Sequence, residues 1–407
     1  MSARMIVRTV LLAALLPVAA LAQDSRPEIT EWGGLMEAFR RAGQEFLASA
    51  PATDPVTQAE GLRYLTRQLG LAVTKIQSVG QPAPVLRLTT SDIAKTGLDA
   101  AEAKYLSVPV DSAGTYRLWG RLGTAKHIAV QLYALPKPMV GAALLGDDLK
   151  AAADGSFELM ISPTRPAGWR GAWLPMVPTD TELYVREYFD DWAAETMSDW
   201  HIERLDGGGD GAAFDRAHAA RYAADLAAEF GFRLPLWLKQ VERIRGDGTN
   251  HLGKAERSPL GLGDNSYGNG WFNLADGEAL LIEFAAPEAR LWSYELGNLW
   301  WESLDWVNHT ASLTGAMAKR SGDGRYRLIV AASDPGYPNW LDAAGHREGA
   351  IMYRYILGKV EPVPTLRKVA LRDLPNLLPK DTPRVTPEQR AAEIALRRRH
   401  AALRFAP

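Results

Sequence analysis

The chain has 407 residues, a formal charge of −2 and 47% hydrophobic residues. That charge gives no global field for nucleic acid, and that apolar content excludes a disordered chain. There is no cysteine, which excludes disulfides, thiolate metal sites and a cysteine nucleophile; a chain this long can be held by its core alone.

Arg4 and Arg8 precede an apolar run from Val10 to Leu21, which ends in Ala20-Leu21-Ala22. A basic start, a run of this length and a small-x-small end describe a secretory signal peptide over residues 1–22, too short to span a bilayer. The mature chain is then expected to begin at Gln23, to carry no integral membrane segment, and to be periplasmic or secreted. Residues 23–104 read as a helical N-terminal segment. Leu35, Phe39 and Phe46 recur near helical spacing between Glu31 and Ala48. Asp54-Pro55 then caps and opens a second helix, with Leu62, Leu65 and Leu69 along one face.

From Tyr105 the period becomes two, and residues 105–206 read as a first β-unit. Tyr116–Arg121 and His127–Tyr133 alternate around a Gly-containing turn and are expected to pair as a hairpin. Ser156–Ile161 and Glu182–Phe189 are further strands. Gly207–Gly211 has neither phosphate-loop spacing nor a following Lys-Ser or Lys-Thr, so residues 207–212 read as a linker. Residues 213–361 combine two helices, Ala213–Phe230 and about Leu236–Arg245, with strands at Ala279–Phe284, Leu291–Leu296, Tyr326–Ala331 and Ala350–Leu357. Residues 362–407 begin Pro-rich and are expected to run over the surface. Thr386-Pro387-Glu388-Gln389 is a capping box that opens a terminal helix, with Arg397–His400 read as its solvated end.

The chain repeats itself. Asp154–Ile161 resembles Asp323–Val330, Trp173-Leu174 answers Trp340-Leu341, and Tyr184-Val185-Arg186 answers Met352-Tyr353-Arg354. The expected fold is α+β, mainly β: two related antiparallel β-sandwich-like units with a helical N-terminal segment, central helices and a C-terminal helix. If the shared parts are scaffold, the parts unique to the second copy are the functional candidates.

Those parts lie between Gly263 and Gly349, which hold six of the thirteen tryptophans and three polar clusters. Tryptophan beside His, Asn and carboxylates suggests a concave site with apolar walls and a few polar anchors. His309 and His346 are the candidate proton-transfer groups, with Asp305, Asp342 and Glu348 to orient or charge them. Trp271, Trp301 and Trp340 would stack on a ligand; Asn308, Asn339 and Tyr267 would fix its hydroxyls; Arg347 could hold a developing anion. Asp264–Gly268 approaches a nucleophile elbow but has Asp where the first Gly belongs, so it reads as a Gly- and Asn-rich turn. No HExxH or EF-hand pattern occurs, and no metal or other cofactor is expected.

Three stretches carry a family resemblance: Asp264-Asn265-Ser266-Tyr267-Gly268-Asn269-Gly270-Trp271, Trp300–Asp305 with Val307-Asn308-His309, and Pro338–Asp342 with Gly345–Gly349. From about Arg221 to Arg390, and more loosely back to Leu62, the chain resembles the domain of unknown function 1214 family of bacterial proteins. The resemblance implies an antiparallel, β-rich architecture with helices and brings no activity with it. The leading functional expectation is a cofactor-free hydrolase or lyase, acting by acid-base chemistry on a neutral hydroxylated or amphipathic small molecule such as a sugar derivative or lipid-like compound. The alternative is a non-catalytic periplasmic ligand-binding or assembly module. A deep pocket shared by His309 and His346 favours the first; histidines held by structural hydrogen bonds favour the second.

Overall fold

The computed structural model describes residues 30–49, 55–134, 139–207, 215–258 and 262–406. The expected signal peptide, the Asp54 cap and most of the Gly-rich linker lie outside the described residues. Helices α1 (Thr30–Ser49) and α2 (Pro55–Ser78) come first. The first β-unit follows: β1 (Arg87–Leu88), β2 (Ala103–Pro109), β3 (Tyr116–Arg121), β4 (His127–Ala134), β5 (Met139–Leu145), β6 (Ser156–Ser162), β7 (Ala172–Pro175), β8 (Glu182–Tyr188) and β9 (Asp199–Arg204). Helices α3 (Arg216–Arg233) and α4 (Leu238–Gly246) lead into β10 (His251–Leu252), β11 (Glu256–Arg257), β12 (Asn265–Asn273), β13 (Glu278–Ala285), β14 (Leu291–Gly297) and β15 (Ser312–Thr314). The second unit ends with β16 (Arg325–Ala331), β17 (Trp340–Asp342), β18 (Glu348–Ile356) and β19 (Thr365–Ala370), before α5 (Leu374–Leu377) and α6 (Pro387–Arg404).

Two sheets form each unit, and their topology is duplicated. The first unit has the orders β1-β2-β8-β4-β5 and β7-β6-β3-β9; the second has β10-β12-β18-β14-β15 and β17-β16-β13-β19. From β2 to β9, every strand answers the one numbered ten higher. The match extends to direction, since β6–β7 and β16–β17 are the parallel pairs in otherwise antiparallel ladders. The α+β sandwich-like fold and its internal repeat are thus present.

Strand alternation explains how the units pack. Along β8, Leu183 and Val185 point into the first sandwich core with Val130, Leu132, Leu118 and Leu159. Tyr184, Arg186 and Tyr188 therefore face the other way. That outer face meets the β12-β18-β14 face of the second unit, where Ala103, Ala129 and Tyr188 pack on Leu262, Leu291 and Ile356. The second sandwich core holds Leu280, Ile282, Leu328 and Val330 with Leu296, Ile351, Tyr353 and Tyr355. Helices α1, α2 and α3 form a cluster through Leu35, Phe46, Tyr64, Leu226 and Phe230, with Trp300 inserted among them.

Several sequence expectations need correction. Strands β3 and β4 are not a hairpin: β3 pairs with β6 and β9, β4 with β5 and β8. Leu118 and Val130 instead face each other across the sandwich core, so the turn between them crosses from sheet to sheet. The stretch from Asn265 is a central strand rather than a turn. Its glycines serve close approach: a Cβ on Gly268 would stand 2.0 Å from the Tyr353 ring, and one on Gly270 2.1 Å from the His251 carbonyl. Thr365–Ala370, within the expected surface segment, is an edge strand on β13. In α2, Leu62 is exposed and the buried stripe is Thr57, Glu60, Gly61, Tyr64, Gln68 and Ala72. Its polar members have partners: Glu60 accepts from Asn298, Gln68 donates to the Lys95 carbonyl and Tyr64 to the Leu234 carbonyl. Finally, Arg397 and His400 are buried; Arg398 and Arg399 remain exposed.

Candidate functional site

The histidines predicted from sequence both sit at the end of β17, each with a carboxylate. His309 Nδ1 is 2.8 Å from Asp342 Oδ2, and its ring is 40% exposed. His346 is locked: Nδ1 lies 3.0 Å from the Ala343 carbonyl and Nε2 3.0 Å from Glu60 Oε2. Both ring nitrogens face acceptors, so both donate and the ring is an imidazolium with no lone pair to accept a proton. Burial works against that charge, but Glu60 outweighs it and raises the His346 pKa. Burial likewise opposes the Glu60 charge, and His346 with Arg63 and Asn298 reverses this and lowers its pKa. Glu60 belongs to α2, which no pattern in the order of residues connects with this loop.

The remaining predicted residues are dispersed. Asp305 accepts from the backbone and side-chain amides of Asn308, whose Oδ1 in turn accepts from Arg398. Glu348 accepts from the Trp271 indole at 2.9 Å and from Arg245. Asn339, at φ 60°, bonds the carbonyls of Lys319 and Arg327 and the Lys319 amide. Arg347 pairs with Asp276 on the surface. Trp271, Trp301 and Trp340 are 0%, 3% and 8% exposed. They are core residues without an open face for a ligand, so the expected tryptophan-walled hollow is not formed. Tyr267 alone of the predicted set reaches a different place, the layer between the units.

That layer is polar. Arg186 of β8 stands opposite Tyr105 of β2 and Ala129 of β4; Arg354 of β18 stands opposite Tyr267 of β12 and Ser293 of β14. The two arginines are thus the same position of the repeat, and so are the two tyrosines. Their compensation differs. Arg354 donates to Glu102 and to Glu295, both at 2.5 Å. Arg186 donates to the Gln131 amide oxygen at 2.5 Å and the Tyr133 hydroxyl at 2.7 Å, and among the described residues it has no carboxylate partner. By strand register Gln131 is the counterpart of Glu295, since Gln131 pairs with Tyr184 and Glu295 with Met352, each two residues before its arginine. One copy has an acid where the other has an amide.

Arg186 is 9% exposed and has the rings of Tyr105, Tyr133 and Tyr184 within 5.9 Å, 5.3 Å and 5.4 Å of its guanidinium. Tyr105, Tyr184 and Tyr267 around it are half-buried. Asn265 Nδ2 donates to Tyr267 at 3.0 Å, and its Oδ1 is buried without a partner. Burial raises the pKa of Tyr105, Tyr184, Tyr188 and Tyr267, keeping their hydroxyls protonated as donors. Burial also works against the Arg354 charge, but Glu102 and Glu295 outweigh it and hold its pKa above the ordinary value. An arginine without an acid, ringed by neutral donors, is suited to a ligand that brings the negative charge itself. Sequence reasoning missed Arg186 although the repeat displayed it. The signal was the Gln131–Glu295 difference, which becomes visible only with strand register.

Comparison with known proteins fits this architecture. The family model described as protein of unknown function (DUF1214) matches residues 87–190, which is β1 to β8. The match falls on the first unit rather than on the Arg221–Arg390 region whose stretches carry the resemblance in the sequence. The crystal structure of an uncharacterized protein from Burkholderia cenocepacia is 30% identical with a TM-score of 0.79, over 84% of this chain and 98% of that one. The chain belongs to the DUF1214 family. A protein from Vibrio parahaemolyticus is 12% identical with a TM-score of 0.43, over 76% of this chain and 98% of that one. No curated protein matches. Among the described residues, no helix is long and apolar enough to cross a membrane.

Proposed function

We propose that this chain is a ligand-binding protein that takes up a small oxyanion-bearing molecule between its two β-units. The observation that carries the reading is the uncompensated Arg186 guanidinium, left so because Gln131 stands where the second copy has Glu295. A carboxylate or phosphate oxygen at Arg186 would form charge-assisted hydrogen bonds. The hydroxyls of Tyr105 and Tyr184, which bond nothing among the described residues, would add neutral donors. An exported location, periplasmic or secreted, is supported by the basic-then-apolar start of the sequence. Calorimetric titration with inorganic phosphate, sulfate and short carboxylates tests the site. At least one anion is expected to bind, and Gln131→Glu is expected to abolish that binding without lowering the melting temperature. Absence of binding by every anion, or binding that Gln131→Glu leaves intact, overturns the reading.

A second reading keeps an enzyme in play, because His309 is open to solvent while Asp342 orients it. A cofactor-free hydrolase or lyase would use His309 as the proton-transfer group on a hydroxylated small molecule. Once a turned-over compound is found by metabolite profiling, His309→Ala must abolish its consumption.

A further inference from the structure

The two units differ on their outer faces as well as at their arginines. In the second unit the chain covers its own outer sheet: Leu374 and Leu378 pack with Tyr337 and Trp340 on Ala279, Leu281 and Ile329. On the first unit the corresponding sheet, β7-β6-β3-β9, has no such cover among the described residues. Instead it carries a groove of about 570 Å³, bordered by Trp119, Trp169, Arg121, Lys150, Glu158 and Asp199.

Register shows what was exchanged. Trp119 stands opposite Glu158 of β6, and Glu283 stands opposite Arg327 of β16. Glu158 and Arg327 are both four residues after the Asp-Gly that opens their strand. Where the second unit places Glu283, paired with Arg327 and Arg367, the first places an indole. That indole is held in place. It stacks on His201 with ring centroids 4.3 Å apart and has the Arg117 guanidinium 5.4 Å from its centre. Trp169 is anchored by its indole N–H on the Ala172 carbonyl at 2.8 Å. Both rings remain partly exposed.

We propose that this groove binds an uncharged oligosaccharide. Two fixed and partly exposed indoles offer apolar surface for the C–H side of a pyranose, and aromatic walls with a few polar anchors are what an organic ligand site needs. Arg121 and Lys150 against Glu158 and Asp199 set two cations beside two anions. That rim supplies both donors and acceptors to a ring of hydroxyls while favouring neither sign of charge. Lys150, held at φ 54° on the rim, forms no ion pair among the described residues. The volume lies within the range of small-ligand sites. The proposal is independent of the Arg186 site, which lies on the opposite side of the first sandwich.

The test is titration of the full chain with soluble malto-, cello-, xylo- and chito-oligosaccharides, followed by tryptophan fluorescence and calorimetry. At least one series is expected to bind and to perturb the indole emission. Trp119→Ala and Lys150→Ala are each expected to weaken that binding, the former about tenfold or more, while Gln131→Glu leaves it unchanged. Trp169→Ala provides the same reading should Trp119→Ala melt early. The proposal is overturned if no series binds, or if the tryptophan variants bind as the parent does.

Discussion

Gln131 and Glu295 occupy the same place in the two β-units, each beside the arginine of its central strand, and only Glu295 brings a carboxyl there. The pair therefore separates an arginine that holds the fold from one left for something else. Exchanging them should have opposite consequences. Glu295→Gln leaves Arg354 with Glu102 alone and a weakened buried hydrogen bond, and is expected to cost about 1–3 kcal/mol in chemical denaturation. Gln131→Glu gives Arg186 a partner at a place built for it and is expected to leave the denaturation midpoint at or above that of the parent. A large loss from Gln131→Glu would mean that the Arg186 charge is already balanced.

The C-terminal helix is expected to bind the two units together. Arg404 Nη1 donates to the Ala101 and Ala103 carbonyls just ahead of and within β2, while its guanidinium lies 5.0 Å from the Trp306 ring of the second unit. Arg397, on the same helix, reaches the Trp306 carbonyl and Ser312. Arg404→Met keeps the apolar stem but strands two buried carbonyls, and should cost about 1–3 kcal/mol. Denaturation followed by tryptophan emission checks this, since Trp192 and Trp306 lie against the helix.

Much of the fold was legible because it is periodic: the sandwich strands, the capping box at Thr386 and the repeated Asp-Gly openings all appear in the order of residues. The strand from Asn265 was not, because its glycines and asparagines look like a turn. They are there for packing instead, with Gly268 placed against Tyr353, whose hydroxyl is tied to the Gly253 carbonyl at 2.8 Å and whose ring stacks on Tyr294. Gly268→Ala should cost about 1–3 kcal/mol by overpacking, read as a lower melting temperature. A turn glycine at this position would tolerate the change.

The candidate site was less legible, for a physical reason. Local sequence put His309 and Asp342 among the candidates, and the two do meet, but the carboxylate that holds His346 is Glu60, which comes from the distant helix α2. The logic of uniqueness also pointed away from Arg186, because a duplicated arginine looks like scaffold until register shows that its acid is missing in one copy. The two histidines should now behave differently. His309→Ala, at an exposed ring, is expected to change stability by no more than about 0.5 kcal/mol. His346→Ala leaves the buried Glu60 with Arg63 and Asn298 but removes its imidazolium partner, and should cost about 1–3 kcal/mol. Equal effects from both would contradict the assignment of His346 as a structural imidazolium.

The loop network around α2 also sets a pH dependence. Burial pushes the Glu302 carboxyl up to about 7, with Arg67 pulling in the opposite direction. A carboxyl whose pKa is raised on folding holds its proton better in the folded chain. Its contribution is therefore fully present below its ordinary value of 4.5 and is lost as pH rises through about 7. The raised pKa of His346 acts in the same direction, its contribution fading as pH climbs past the ordinary imidazole value. His400 opposes them at the acid end: burial pushes it down to about 3, so its contribution is lost as pH falls below the ordinary 6.5. Stability should therefore be greatest at about pH 5–6 and decline by roughly 3 kcal/mol or less towards about pH 8. Glu302→Gln removes one of the two buried carboxyls that titrate on the alkaline side, the other being Glu295, which burial pushes up to about 8 against the pull of Arg354, and should lessen that decline in a series of melting curves. A decline of unchanged slope in Glu302→Gln would show that the proton is released elsewhere.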